Sequence, residues 1–116
     1  MGITERLQAE STSGLSVRTI QYAVAKKFFI EPRMMWSKRR HHAVAHPRMI
    51  AMYLCRHQLK STYTLLAIMF KKDHSTVIHN VRKIDRLRKV DPLLQVVLTQ
   101  LWNELSCKAT GDEATA

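Results

Sequence analysis

The stretch KKDHSTVIHNVRKI, residues 71–84, is polar at its start and apolar at every third or fourth position after that. At about 100° per residue, Val77, Val81 and Ile84 fall on one narrow stripe of a helix. The opposite side carries the polar and basic residues Ser75, His79, Arg82 and Arg86. We therefore expect an amphipathic helix that buries the apolar stripe and exposes hydrogen-bonding groups and positive charge.

The residues before this helix predict a helix-turn-helix. Ser61 or Thr62 can cap a short apolar helix that ends near Phe70. Residues 71–72 supply the turn, and Asp73 then caps the long helix with its side-chain oxygen and its negative charge. In a helix-turn-helix, the second helix enters the major groove of DNA with its N-terminus first.

The rest of the chain also has helical patterns. Glycine occurs only at positions 2, 14 and 111, and no stretch alternates apolar and polar residues over the length of a strand. Further helix starts are expected at Ser16, Pro32, Pro47 (a helix ending near Gln58) and Asp91. The basic stretch SKRRHH, residues 37–42, is expected to be a loop. The sequence thus predicts an all-α fold, a compact bundle of about six helices.

The domain organisation follows from length and composition. A chain of 116 residues with 46% hydrophobic content fits one globular unit with one core. We expect the folded domain at residues 16–106, a flexible leader at residues 1–15 and a flexible tail at residues 107–116. No apolar run reaches the roughly 18 residues that a membrane span needs, so we expect a cytoplasmic, nucleoid-associated protein.

The formal net charge of +10 is segregated along the chain. Between Pro32 and Lys72 there is no Asp or Glu, whereas this stretch contains nine Lys or Arg residues and four His residues. A field of one sign favours a polyanionic partner, either nucleic acid or an anionic membrane surface.

Metal and catalytic sites are not predicted. His41, His42, His46 and His57 fit no common zinc spacing with Cys55, and Cys107 is too distant to make a disulfide scaffold. Ser75 and His79 lack a carboxylate nearby in sequence that could orient a catalytic pair. We expect no cofactor, no metal, no small-molecule substrate and no enzymatic activity.

Two blocks of sequence resemble a known family. SKRRHHAVAHPRMIAMYLCR at residues 37–56 and DHSTVIHNVRKI at residues 73–84 resemble the DNA-binding domain, domain IV, of the bacterial replication initiator DnaA. The resemblance runs from about Ser16 to Leu105. It implies sequence-specific binding of double-stranded DNA at the short sites called DnaA boxes.

The resemblance also implies roles for single residues. The expected base contacts are Asp73, His74, Ser75 and Thr76 in the major groove and Arg40 in the adjacent minor groove. The expected contacts to the DNA backbone are Lys38, Arg39, Arg48, Arg56, Lys72, His79, Arg82 and Lys83. The chain departs from the family pattern at His46, at Met49 and in the turn KKDH, which is one residue shorter and lacks glycine.

The phosphate-binding motif GxxxxGK[ST] of the initiator's ATPase module is absent, so this sequence is not a complete initiator. It is either an excised domain or a small stand-alone regulator, and the initial Met1 favours the latter. Two other classes stay open. One is a peripheral module that binds anionic membrane through the basic loop and amphipathic helices. The other is a protein-interaction adaptor that uses residues 1–15 and 107–116.

Overall fold

The structure, a computed structural model, describes the backbone of residues 15–115 and the side chains of residues 15–107. Within that range it contains helices and no strand. The helices are α1 (Val17–Lys27), a 3-10 helix (Pro32–Trp36), α2 (His42–Gln58), α3 (Tyr63–Phe70), α4 (His74–Leu87) and α5 (Pro92–Thr115). The prediction of an all-α bundle is therefore confirmed.

The core forms around α2, which packs most extensively against α4 and α1. Ile50 and Leu54 of α2 are completely buried. The stripe predicted for α4 is confirmed, because Val77, Val81 and Ile84 are all buried. One face of α4 is thereby anchored to the core, and its other face remains at the surface.

Side-chain caps fix the starts of three helices. The Ser16 hydroxyl accepts from the Thr19 amide at 3.2 Å at the start of α1. The Thr62 hydroxyl accepts from the Leu65 amide at 3.1 Å at the start of α3. The Asp91 carboxylate accepts from the amides of residues 93 and 94 at the start of α5. These starts agree with the sequence prediction.

The start of α2 was predicted wrongly. The helix begins at His42, one turn and a half before Pro47, because the amides of Val44 and Ala45 already bond to the His41 carbonyl. Pro47 lies inside the helix, where its ring removes only the bond to the carbonyl of Ala43, an exposed residue that water can reach. The basic loop is consequently shorter than predicted, and we define it as residues 37–41.

The structure describes part of each predicted chain end. Residues 1–14 of the leader lie outside the described residues, whereas Leu15 is buried and already belongs to the domain. The predicted tail, residues 107–116, has a helical backbone as far as Thr115. Its alanine, lysine and glutamate residues have high helix propensity, which favours continuation of α5.

The turns between the helices of residues 15–107 contain no glycine. Phe29, Lys60 and Lys71 have φ values of 59°, 61° and 54°, in the left-handed region that usually takes glycine. Two of them end helices in the same way. The amides of Phe29 and Ile30 bond back into α1, and those of Lys71 and Lys72 bond back into α3, as in a Schellman motif. Each turn is held by backbone hydrogen bonds despite the presence of a Cβ.

Substitution of Lys71 tests this assignment. Lys71→Gly should raise the free energy of unfolding by up to about 1 kcal/mol, because glycine adopts a positive φ without steric penalty. Lys71→Val should lower it by about 1 to 2 kcal/mol, since a β-branched side chain is disfavoured there. Urea denaturation followed by circular dichroism measures both. If the valine variant were as stable as the glycine variant, the left-handed turn would be wrong.

Candidate nucleic-acid interface

The first turn of α4 presents polar side chains to solvent. Asp73, His74 and Ser75 are exposed, and Thr76 is half-buried. Asp73 is the N-cap residue, as predicted, but its side chain makes no capping hydrogen bond, so that part of the prediction was wrong. Its exposed carboxylate keeps its capacity to accept hydrogen bonds, for example from the amino group of a cytosine.

His74 is held in place by α3. The Thr64 hydroxyl lies 3.3 Å from Nε2 of His74, and the Tyr63 ring meets the imidazole edge-on with 6.3 Å between ring centroids. The Arg56 guanidinium lies 4.3 Å from the centroid of the Tyr63 ring and donates to the Ser61 carbonyl at 2.8 Å. A chain of contacts thus runs from the end of α2 through α3 to the imidazole.

Arg48 is the centre of the basic loop. The residue is only 4% exposed, and its guanidinium donates to the Met34 carbonyl at 2.7 Å and 3.2 Å from two nitrogens. It also donates to the Arg39 carbonyl at 3.0 Å and to the Ser37 hydroxyl at 3.1 Å. Burial lowers the pKa of Arg48. A single side chain therefore fixes the end of the 3-10 helix and the course of the loop.

This position favours a role for Arg48 other than the expected phosphate contact. Its guanidinium donates to the Met34 and Arg39 carbonyls and to the Ser37 hydroxyl, inside the protein. We therefore omit Arg48 from the residues proposed to contact DNA and assign it the task of shaping the loop.

Lys72 joins the loop to the helix-turn-helix. Its ammonium donates a hydrogen bond to the Ser37 carbonyl, at the start of the basic loop. Burial lowers the pKa of Lys72, and the positive charges of Arg48, Arg40 and Lys38 lower it further. Because Lys72 directly precedes the N-cap of α4, this bond holds the loop beside the first turn of α4. Positive charge is concentrated at that junction.

The remaining predicted contacts lie on the surface of α4 and in the loop. The exposed residues among them are Lys38, Arg39, Arg40, His79, Arg82 and Lys83. Arg56 is half-buried. Asp85, the acidic residue of α4, is half-buried and pairs with Arg88 at 3.0 Å, so it does not cancel the charge of this surface.

Two residues of this site, Tyr63 and Thr64, were missed from sequence. They had no signal, because their importance depends on how α3 packs against α4. Arg48 was named from the sequence as a phosphate contact, but no local pattern indicated that its side chain turns inward.

Other kinds of site find no support in the described part of the chain. Residues 15–107 contain no group of three potential metal ligands. None of the described helices combines the length and the apolar character needed to cross a bilayer. Both cysteines are free thiols, and burial raises the pKa of Cys55.

Comparisons with known proteins agree with this geometry. The family described as "Bacterial dnaA protein helix-turn-helix" matches residues 17–84. The chromosomal replication initiator protein DnaA of Geobacter metallireducens is 41% identical over 83 residues, which cover 71% of this chain and 18% of that protein. The DnaA of Geotalea uraniireducens is 35% identical over 104 residues, covering 89% and 23%. A solved structure described as a DNA replication initiation factor aligns with a TM-score of 0.69 and 27% identity, covering 90% of this chain and 32% of that one.

A short helix, a glycine-free turn and a second helix with an exposed polar start define a helix-turn-helix DNA-binding domain. The chain belongs to the bacterial DnaA helix-turn-helix family, which confirms the resemblance seen in the sequence. It spans about a fifth of the length of these curated relatives.

Replacement of Arg48 tests its task in the loop. Arg48→Met should lower the free energy of unfolding by about 1 to 3 kcal/mol, because the Met34 and Arg39 carbonyls lose their donors. Arg48→Lys should recover only part of this loss, since an ammonium lacks the planar fork that reaches several acceptors. The exposed Arg86 provides the control, and Arg86→Met should change stability by less than about 0.5 kcal/mol. Equal effects of the two methionine variants in urea denaturation would contradict this task.

Proposed function

We propose that the domain binds double-stranded DNA sequence-specifically at DnaA-box-like sites. The start of α4 enters the major groove, and Arg40 of the basic loop enters the adjacent minor groove. The observation that carries this proposal is the hydrogen bond from Lys72 to the Ser37 carbonyl, supported by the contacts of Arg48. These bonds keep two reading elements in a fixed relation, as recognition of neighbouring grooves requires.

The major-groove contacts follow from the chemistry of the exposed groups. The Asp73 carboxylate accepts from a cytosine amino group, and the Ser75 hydroxyl donates to or accepts from a base edge. The His74 imidazole offers one ring nitrogen to a base while Thr64 occupies the other. The Thr76 methyl suits the methyl group of a thymine.

The minor-groove contact depends on electrostatics. A narrow A·T-rich minor groove has an enhanced negative potential, which attracts an inserted arginine such as Arg40. Lys38 and Arg39 directly precede it and bind neighbouring phosphates, and Lys72 binds the DNA backbone near the turn. The positive charges that lower the pKa of Lys72 also repel one another, and nearby phosphates reduce this repulsion.

The backbone contacts complete the interface. The side chains assigned to phosphates are Lys38, Arg39, Arg56, Lys72, His79, Arg82 and Lys83. Phosphate contacts of this kind position the protein, whereas the base contacts of α4 and Arg40 specify the sequence. Affinity should therefore fall steeply as salt concentration rises.

The proposed biological role is regulation of replication initiation or of transcription, in the cytoplasm at the nucleoid, without a cofactor or small-molecule substrate. The relatives are named chromosomal replication initiator proteins, and this chain corresponds to about a fifth of their length. Selection from a random duplex library tests the proposal. A recovered consensus that resembles a DnaA box supports it. Recovery without a consensus, or equal displacement by anionic vesicles, overturns it.

His74→Ala and Lys38→Ala should distinguish contacts that read bases from contacts that bind phosphates. Loss of the imidazole should weaken the free energy of binding to the selected duplex by about 1 to 3 kcal/mol and reduce the preference for one base at one position. Loss of Lys38 should weaken all duplexes alike and reduce the salt slope by about 1. Lys26→Ala in α1 is the matched control and should change neither quantity. Fluorescence anisotropy against selected and scrambled duplexes measures all three, and equal losses for His74→Ala on both duplexes would remove its reading role.

Thr64→Val should act through His74. The valine keeps the shape but removes the hydroxyl, so affinity for the selected duplex should fall by about 0.5 to 1.5 kcal/mol. Affinity for scrambled duplex should remain, and Thr64→Ser should behave like the parent chain. A uniform loss on both duplexes would instead make Thr64 a phosphate contact.

A further inference from the structure

A second surface lies between α1, the turn that follows it and α5. This groove has a volume of about 1590 Å³. None of its lining residues belongs to α3, α4 or the basic loop. Its apolar lining residues include Tyr22, Ala23, Phe29, Ile30 and Pro32. The groove is therefore separate from the DNA-binding surface proposed above.

Phe29 has a conformation and an exposure that packing within the fold does not explain. It occupies the glycine position of the Schellman motif after α1, with φ 59°, where a bulky side chain is disfavoured. Its side chain nevertheless stays 94% exposed, so it gains no burial in exchange for the strained backbone. Backbone strain clusters at binding and switch sites, and an exposed aromatic side chain beside an apolar groove is suited to anchor a partner.

A second aromatic residue extends this surface along α1. Tyr22 is 50% exposed, lies on α1 seven residues before Phe29, and lines the same groove. Ala23 between them is small and leaves the floor of the groove open. Aromatic anchors around such a floor match the apolar face of an inserted helix.

The edges of the groove are positively charged. Arg18 is fixed with its guanidinium 4.3 Å from the centroid of the Trp36 ring and donates to Gln21, and Lys27 donates to Gln100 at 2.9 Å. Lys26 is exposed, and among the described residues that line the groove Glu104 is the one carboxylate. Three cations around an apolar floor favour an occupant with acidic residues beside its apolar ones.

We propose that this groove binds an acidic amphipathic helical segment of a protein partner. A second copy of the chain is a poorer occupant, because each copy carries a net charge of +10 and the two would repel. A bilayer surface would contact the exposed Phe29 but would leave the recessed apolar residues of the groove, such as Ala23, without a partner. Nucleic acid would match the charge but leave the apolar floor without a partner.

The test is selection of 16-residue peptides from a random display library on the full chain. Peptides with aliphatic or aromatic anchors at helical spacing and acidic residues between them are expected to be enriched. Their affinity should fall at least tenfold for Phe29→Gly and for Lys26→Glu. The same peptides should bind undiminished to Leu93→Ala and Lys89→Glu, which change exposed residues outside the groove.

Phe29→Gly separates binding from folding. Because glycine relieves the strained turn, this variant should unfold at the same or a higher temperature than the parent chain, and its binding of duplex DNA should be unchanged. Failure to enrich acidic peptides overturns the proposal, as does full retention of their affinity by Phe29→Gly. Displacement of the peptides by single-stranded DNA or by phosphatidylglycerol vesicles assigns the groove to nucleic acid or membrane instead. A dimer of the parent chain that Phe29→Gly abolishes in sedimentation assigns it to self-association.

Discussion

The interface depends on the burial of one charged group, the guanidinium of Arg48. A buried arginine is tolerated only when its donors are satisfied, and here the carbonyls of Met34 and Arg39 and the Ser37 hydroxyl supply the acceptors. The loop is thereby bound to α2 at the point where α2 meets the core. Lys72 adds a second connection, from the turn before α4 to the start of the loop. The two elements proposed to read DNA, α4 and the basic loop, are consequently held together by hydrogen bonds from side chains.

The described helices α1, α2 and α3 are each followed, within two residues, by a non-glycine residue with positive φ. Lys71 adopts the left-handed conformation between α3 and α4, and its charge remains at the surface beside α4. A glycine there would relax the backbone and remove that charge. Lysine in this short turn therefore adds a positive charge to the helix-turn-helix, whereas glycine would adopt the left-handed conformation more easily.

The sequence was sufficient to predict the helices and the buried face of α4. The spacing of Val77, Val81 and Ile84 and the caps at Ser16 and Asp91 are local signals, and the structure agrees with them. The start of α2 was missed because Pro47 is a strong local signal for a first turn, yet the residues before it already form helix.

The contacts of the site could not be predicted for a different reason. Whether Arg48 faces solvent or a loop carbonyl depends on residues up to 14 positions away in sequence, and the Thr64 to His74 contact joins two helices. Such pairs are set by tertiary packing. The exposed, strained state of Phe29 likewise appears only when the end of α1 and its surroundings are known.

The central claim is that α4 and the basic loop read different grooves of one duplex. Replacement of A·T pairs by inosine·C pairs, one position at a time along the selected site, tests it most directly. Inosine·C presents the minor-groove pattern of A·T but the major-groove pattern of G·C. The claim predicts lost affinity at positions under α4 and retained affinity at the A·T positions under Arg40, where only G·C pairs should weaken binding. Loss of affinity at every inosine position, including those under Arg40, would contradict it.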